Sequence, residues 1–155
     1  MASAASRKPR LRLAVQYATR AAGVPARGQF RRWVAGALAR PAELTIRVVD
    51  EPEGRRLNRA YRDRDYATNV LTFAYRDARP LAGDLVLCAP VVAREARAQR
   101  KALREHYAHL TVHGVLHLQG YDHEADTDAE AMEALETRIL RRFRIADPYA
   151  PRAAG

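Results

Sequence analysis

Leu11, Leu13, Val15 and Tyr17 alternate with Arg12, Ala14 and Gln16. A period of two puts one set of side chains on one face of an extended chain, so this stretch predicts a strand. Gly23, Pro25 and Gly28 break the chain behind it. The period then changes. Phe30, Trp33, Val34, Ala37 and Leu38 fall at i, i+3, i+4, i+7 and i+8, one stripe of a helix that ends before Pro41. Leu44, Ile46 and Val48 predict a second strand, stopped by Asp50-Glu51-Pro52, and a short helix over about residues 53–62 follows with Leu57 and Tyr61 on its apolar side. The run NVLTFAY, residues 69–75, predicts a third strand with Leu71, Phe73 and Tyr75 on one face. Residues 76–83, with Pro80 and Gly83, predict a turn, and Asp84 to Cys88 a fourth strand. Pro90 opens a helix reaching about residue 102, and another begins near Arg104. The last helix opens on a capping box, Thr127-x-x-Glu130, and carries Met132, Leu135, Ile139, Leu140 and Phe143 as its buried stripe.

Four strands interleaved with about five helices predict an α+β fold (α/β-like): one domain with a small four-stranded mixed sheet covered by helices. A chain of 155 residues suffices for a hydrophobic core. The expected organisation is a flexible basic start over residues 1–8, one domain over 9–147, and a flexible tail over 148–155, since Pro148 ends the last pattern. The longest apolar runs are far short of a membrane span. The single cysteine, Cys88, lies in the apolar run LVLCAP and reads as a small buried residue. It excludes an internal disulfide and suits a reducing compartment, so the expected location is cytoplasmic.

The net charge of +9 is unevenly placed. Residues 1–62 hold 14 Arg/Lys against 4 Asp/Glu, and residues 63–155 hold 13 against 14. The excess is nearly all arginine, whose planar fork pairs with phosphate and stacks on bases. Two readings stand: a solvated surface in which Arg replaces Lys, or a face that binds a polyanion such as RNA or DNA.

The chemistry concentrates in residues 113–123, HGVLHLQGYDH. His113 and His117 stand four apart, so a helix brings both imidazoles to one cation. Gly120 lets the chain turn, and His123 returns to the same point from the loop. Three neutral imidazoles leave a tetrahedral zinc with one open position, the arrangement of a catalytic site. Imidazoles also suit nickel and copper. His109 is a rival ligand, but it lies eight residues before His117, about 12 Å along a straight helix. His106 and His109 are therefore read as supporting or packing residues. Asp122 either orients an imidazole or caps the turn. The spacing matches the zinc proteases HExxHxxGxxH except at Gly114, where those enzymes need a glutamate as general base. That argues against peptide hydrolysis.

HGVLHLQGYDH closely resembles the signature of the YbeY family, bacterial metal-dependent endoribonucleases linked to ribosomal RNA processing. LNRAYRDRDYATNVLTFAY (57–75) is similar to the family's LN-x-x-YR segment and the TDVLSF strand after it, and GDLVL (83–87) resembles its GD-strand. Glu105 to His109, Met132 and Glu136 also fit. The chain departs from the family at Asn69, Thr72 and Ala74, where Asp, Ser and Pro are common; none is a proposed ligand. The resemblance implies one zinc ion on His113, His117 and His123, and a phosphate-binding role for Arg62. Arg55, Arg56 and Arg59 are further candidates for contact with RNA, Arg59 being a neighbour of Arg62 on the same short helix. An ion pair of Arg62 with Asp63 or Asp65 is the competing reading. The implied activity is zinc-dependent cleavage of single-stranded RNA in ribosomal RNA maturation, at the small-subunit 3′ end, with a part in ribosome quality control and with the ribosome or its associated proteins as partners. Two alternatives remain: a non-catalytic ribosome-associated factor ordered by its metal, and a zincin-like metallohydrolase.

Overall fold

The computed structural model describes residues 9–121 and 126–150. Its elements run β1 (Leu11–Ala18), α1 (Arg27–Ala37), β2 (Ala42–Val49), α2 (Glu51–Arg62), β3 (Val70–Ala74), β4 (Leu81–Cys88), α3 (Ala89–Ala98), α4 (Leu103–Leu118) and α5 (Asp126–Arg142). The sheet order is β1-β2-β4-β3. The first three of these are parallel in matched register, Leu11 beside Ala42 and Ala42 beside Leu81, and β3 runs antiparallel to β4. The expected four-stranded mixed sheet and five helices are what forms.

Alternation gives the sheet two different faces. Leu44, Ile46, Val48, Leu85 and Leu87 join one cluster with Phe30 and Trp33 of α1, Tyr107, Val112 and Val115 of α4, and Met132 and Leu140 of α5. Trp33 is fully buried, with Phe30 edge-on to both it and Tyr107. Gln119, at the end of α4, accepts from Ala39 N and donates to Ala37 O, which fixes α1 to α4. The other face carries a smaller cluster, Val49, Leu71, Val86, Cys88 and Val91, against which Leu57 of α2 and Phe73 pack. Cys88 is 1% exposed, as its apolar setting predicts.

Several boundaries differ from the pattern. Helix α2 starts at Glu51 rather than 53, with Pro52 in its first turn, where a missing N–H costs nothing. Strand β4 starts at Leu81, so Gly83 belongs to a strand and not a turn; a Cβ there would stand 2.7 Å from the Phe73 carbonyl oxygen. Helix α3 stops at Ala98, and Arg100 takes a left-handed conformation (φ 55°) that ends it. Helix α5 already includes Thr127, which therefore does not cap it. Among the described residues, no helix is long and apolar enough to cross a membrane.

Strand β3 lies at the sheet's end, and its anchoring is polar. Asn69 O accepts from Cys88 N and Tyr75 N donates to Ala82 O, so odd-numbered residues of β3 bond to β4 and even-numbered ones turn their backbone groups outward. The Asn69 amide donates to Glu95 of α3 (3.0 Å), and His106 of α4 meets the same carboxylate at 2.9 Å. This hydrogen bond from His106 holds the Glu95 carboxyl below its ordinary value; burial opposes it and Asn69 assists. A carboxyl lowered on folding stabilises the fold above its unfolded pKa of about 4.3, and that share is lost as pH falls through the folded value. The stability gap between wild type and Glu95→Gln in urea titrations should therefore be widest near pH 6 and narrow towards about pH 3. A gap constant over that range would contradict this account of Glu95.

Candidate metal centre

His109, His113 and His117 follow one another at four-residue spacing on α4. Their ring centroids are 6.1 and 6.0 Å apart, so the three imidazoles form a row along one side of the helix. What distinguishes them is the partner met by one ring nitrogen of each.

His113 Nδ1 lies 2.6 Å from Glu136 Oε1. The other oxygen of Glu136 faces His109 Nε2 at 3.0 Å and accepts from the Tyr149 hydroxyl at 2.6 Å. The Glu136 side chain is wholly buried. Burial by itself pushes a carboxyl up, but the hydrogen bonds from His109, His113 and Tyr149 prevail and bring Glu136 down to about 2. It is a carboxylate at neutral pH. Burial holds His109 below the ordinary imidazole value, with Glu136 opposing. The ligand atoms of His109, His113 and Glu136 lie within 4.8 Å of one another, a spacing that could hold a metal ion. The three side chains are already joined by hydrogen bonds, which is a different use of them.

His117 is held by the backbone. Gly120 N donates to His117 O at 3.0 Å and Tyr121 N to Leu116 O at 3.1 Å, a Schellman turn at the end of α4. Gly120 takes φ +98°, the left-handed conformation this turn requires. The turn brings Tyr121 O to 2.9 Å from His117 Nδ1. Both His113 and His117 thus set Nδ1 against an oxygen acceptor. Nδ1–H donation places the lone pair on Nε2, which makes that nitrogen the metal-binding one. The donor chemistry of this pair fits a divalent ion. His123 and Asp122 lie outside the described residues.

His113 and His117 line a cavity of about 410 Å³ with Asn58, Arg62, Tyr66 and Thr72. It sits at the outer edge of β3, between α4 and the end of α2. Arg62 donates to Thr72 O at 3.1 Å. The competing ion pair of Arg62 with Asp65 does not form, because Asp65 takes a two-pronged bond from Arg55 at 2.8 and 3.0 Å. Arg59 adds a smaller attraction to the same carboxylate, and Arg56 one to Glu53. Arg62 is the candidate arginine that shares a cavity with the histidines. Arg55, Arg56 and Arg59 lie on α2 but do not line that cavity.

Gly114 has a packing reason. A Cβ there would stand 2.8 Å from Leu85 Cδ2, 3.1 Å from Leu85 Cγ and 3.3 Å from Thr72 Cγ2. A side chain at position 114 points into the sheet rather than into the cavity.

The tail, expected to be loose from residue 148, is tied down in its described part. Tyr149 bonds Glu136, and Lys101 Nζ donates to Pro148 O at 3.0 Å. The buried Glu136 carboxylate thus holds residue 149, and Lys101 residue 148. Glu136 and Tyr149 are site residues that the spacing arguments missed. A signal for Glu136 exists: it stands within the α5 stripe that buries Met132, Ile139 and Leu140, where an acid is out of place unless partnered.

Residues 26–144 match the profile of a family described as Endoribonuclease YbeY. A curated Endoribonuclease YbeY of Thiobacillus denitrificans is 62% identical over 143 residues, covering 91% of this chain and 97% of that protein. One from Stenotrophomonas maltophilia is 60% identical over 152 residues, covering 91% and 94%. Among solved structures, the solution structure of TM1509 from Thermotoga maritima superposes with a TM-score of 0.54 at 23% identity, over 84% of this chain and 91% of that one. At that identity the likeness concerns the fold alone.

Proposed function

The chain belongs to the endoribonuclease YbeY family, and on that premise we propose that it cleaves single-stranded RNA, ribosomal RNA in particular, with a zinc ion held by His113, His117 and His123. The observation that carries the ligand assignment is the matched pair of acceptors on Nδ1: Glu136 at His113 and the Tyr121 carbonyl at His117. Each leaves the ligand role to Nε2. In this reading Glu136 supports the metal from behind His113 rather than binding it, and His109 helps to hold Glu136. A bound zinc ion supplies a Lewis acid at the scissile phosphate. Arg62 lies in the same cavity, and its planar fork suits two phosphate oxygens and the charge that builds on them as the bond breaks. Release of the Thr72 carbonyl by Arg62 accompanies phosphate binding. The basic first part of the chain holds the RNA backbone, and the working partner is the ribosome or its associated proteins, in maturation of the small-subunit RNA 3′ end.

The test sets single-stranded RNA, duplex RNA and a peptide before the purified protein, with and without a chelator. Cleavage should be confined to single-stranded RNA. It should fall at least about 100-fold on chelation or in His117→Ala, and about 100- to 1,000-fold in Arg62→Ala. RNA cleavage that survives both chelation and His117→Ala would point to a contaminating nuclease. A fully metallated wild type that cuts no RNA would favour a non-catalytic ribosome-associated factor.

A further inference from the structure

We propose that the sheet face away from α4 carries a nucleobase pocket, with Tyr61 as its stacking ring, which takes a base of the RNA strand whose phosphate lies at Arg62. The inference rests on the ribonuclease reading and adds to it where a base is bound.

The pocket is a cavity of about 620 Å³ between α2 and strands β2, β3 and β4. Its size is that of an ordinary small-ligand site. It holds none of the proposed metal ligands, and the reaction described above does not use it. Two large aromatic residues on its wall, Tyr61 and Tyr75, are 67% and 53% exposed. Burial in the core therefore does not account for them. Tyr61 stands edge-on against Phe73, with centroids 5.1 Å apart. Phe73 is itself packed against the second core cluster. The exposed ring thus has a fixed backing, and a fixed ring stacks a base at low entropic cost.

The polar groups of the pocket are paired among themselves. Arg47 bonds both oxygens of Glu53, at 2.5 and 2.9 Å, and Tyr75 donates to Asp84 at 2.6 Å. The one arginine of the wall is neutralised, so the pocket does not attract phosphate. An uncharged ring with donor and acceptor edges suits it: the ring lies on Tyr61 and its edges meet the carboxylates and the guanidinium.

The two cavities are joined through consecutive residues. Tyr61 and Arg62 share the last turn of α2, and Phe73 and Thr72 are neighbours on β3. Tyr61 and Phe73 line this pocket; Arg62 and Thr72 line the cavity of His113 and His117. Strand β3, at the end of the sheet, is the wall between them. A strand of RNA bent over the outer edge of β3 sets a phosphate at Arg62 and an adjoining base on Tyr61.

The experiment measures affinity of the full chain, with chelator present so that cleavage cannot intervene, for a labelled single-stranded oligoribonucleotide by fluorescence anisotropy. A second oligomer of equal length is abasic throughout. Tyr61→Ala should weaken binding of the first about 5- to 150-fold and leave the abasic oligomer unaffected; Tyr61→Phe should restore wild-type affinity. The salt dependence should be unchanged in Tyr61→Ala, whereas Arg62→Ala should lower its slope by about 0.7. An equal loss for both oligomers, or no loss in Tyr61→Ala, overturns the pocket while the ribonuclease reading stands. A wild type that binds neither oligomer also overturns the pocket, and the cleavage test above, run on the metallated protein, decides the ribonuclease reading separately.

Discussion

Glu136→Ala is expected to weaken zinc binding about 10- to 100-fold, the usual effect of removing the group that orients a ligating imidazole. Competition against a chromophoric chelator measures it. The same substitution strips His113, His109 and Tyr149 of their common acceptor. Donors left in a buried site cost several kcal/mol together, so the metal-free protein should lose about 2–5 kcal/mol in urea titrations. Tyr149→Phe removes one of the three donors and should move both measurements the same way, by less. Two further variants locate the ion. If it binds at His113 and His117, His117→Ala is the more damaging and His109→Ala acts only through Glu136. An ion held within the His109, His113 and Glu136 group would reverse that order, and the ligand assignment proposed above would fall.

Gly114→Glu should destabilise the fold by about 3 kcal/mol or more and create no peptidase. The new side chain meets Leu85 and Thr72, where α4 rests on the sheet, and buries a carboxylate without a donor. Gly114→Ala separates size from charge. Overpacking costs about 1–3 kcal/mol, and the better helix propensity of alanine returns about 1, so a smaller loss is expected. Thermal melts of the two variants, with a peptide cleavage assay on Gly114→Glu, check this. A Gly114→Glu protein as stable as wild type would show that α4 does not need the close approach.

The sheet and its helices were legible because their periods are clean. The strand order was not. Nothing in the alternation of β4 says that it inserts between β2 and β3, since side-chain period reports faces and not neighbours. Pro80 and Gly83 read as a turn, yet Gly83 is a strand residue kept small by the Phe73 carbonyl and Leu118. At the site, the local part was legible: an i, i+4 pair on a helix, and a glycine that enters the left-handed region where the chain reverses. The distant part was not. Glu136 reaches His113 from 23 residues away and Tyr149 reaches His109 from 40, separations that motif spacing does not cover. The partner of Arg62 was sought among nearby acids, but Asp65 is taken by Arg55, ten residues before it, and Arg62 turns to a backbone oxygen instead.

That backbone oxygen belongs to the unpaired side of the sheet. Thr72 is an even-numbered residue of β3, so its carbonyl points away from β4, at an edge where another extended chain could add by hydrogen bonding. The Arg62 side chain covers that carbonyl with a bulky charged group. It therefore serves as a guard against strand-to-strand self-association, and its removal uncovers an adhesive border. Arg62→Ala should sediment as a concentration-dependent mixture where wild type does not, and its lost activity is to be compared with wild type at concentrations where both are monodisperse.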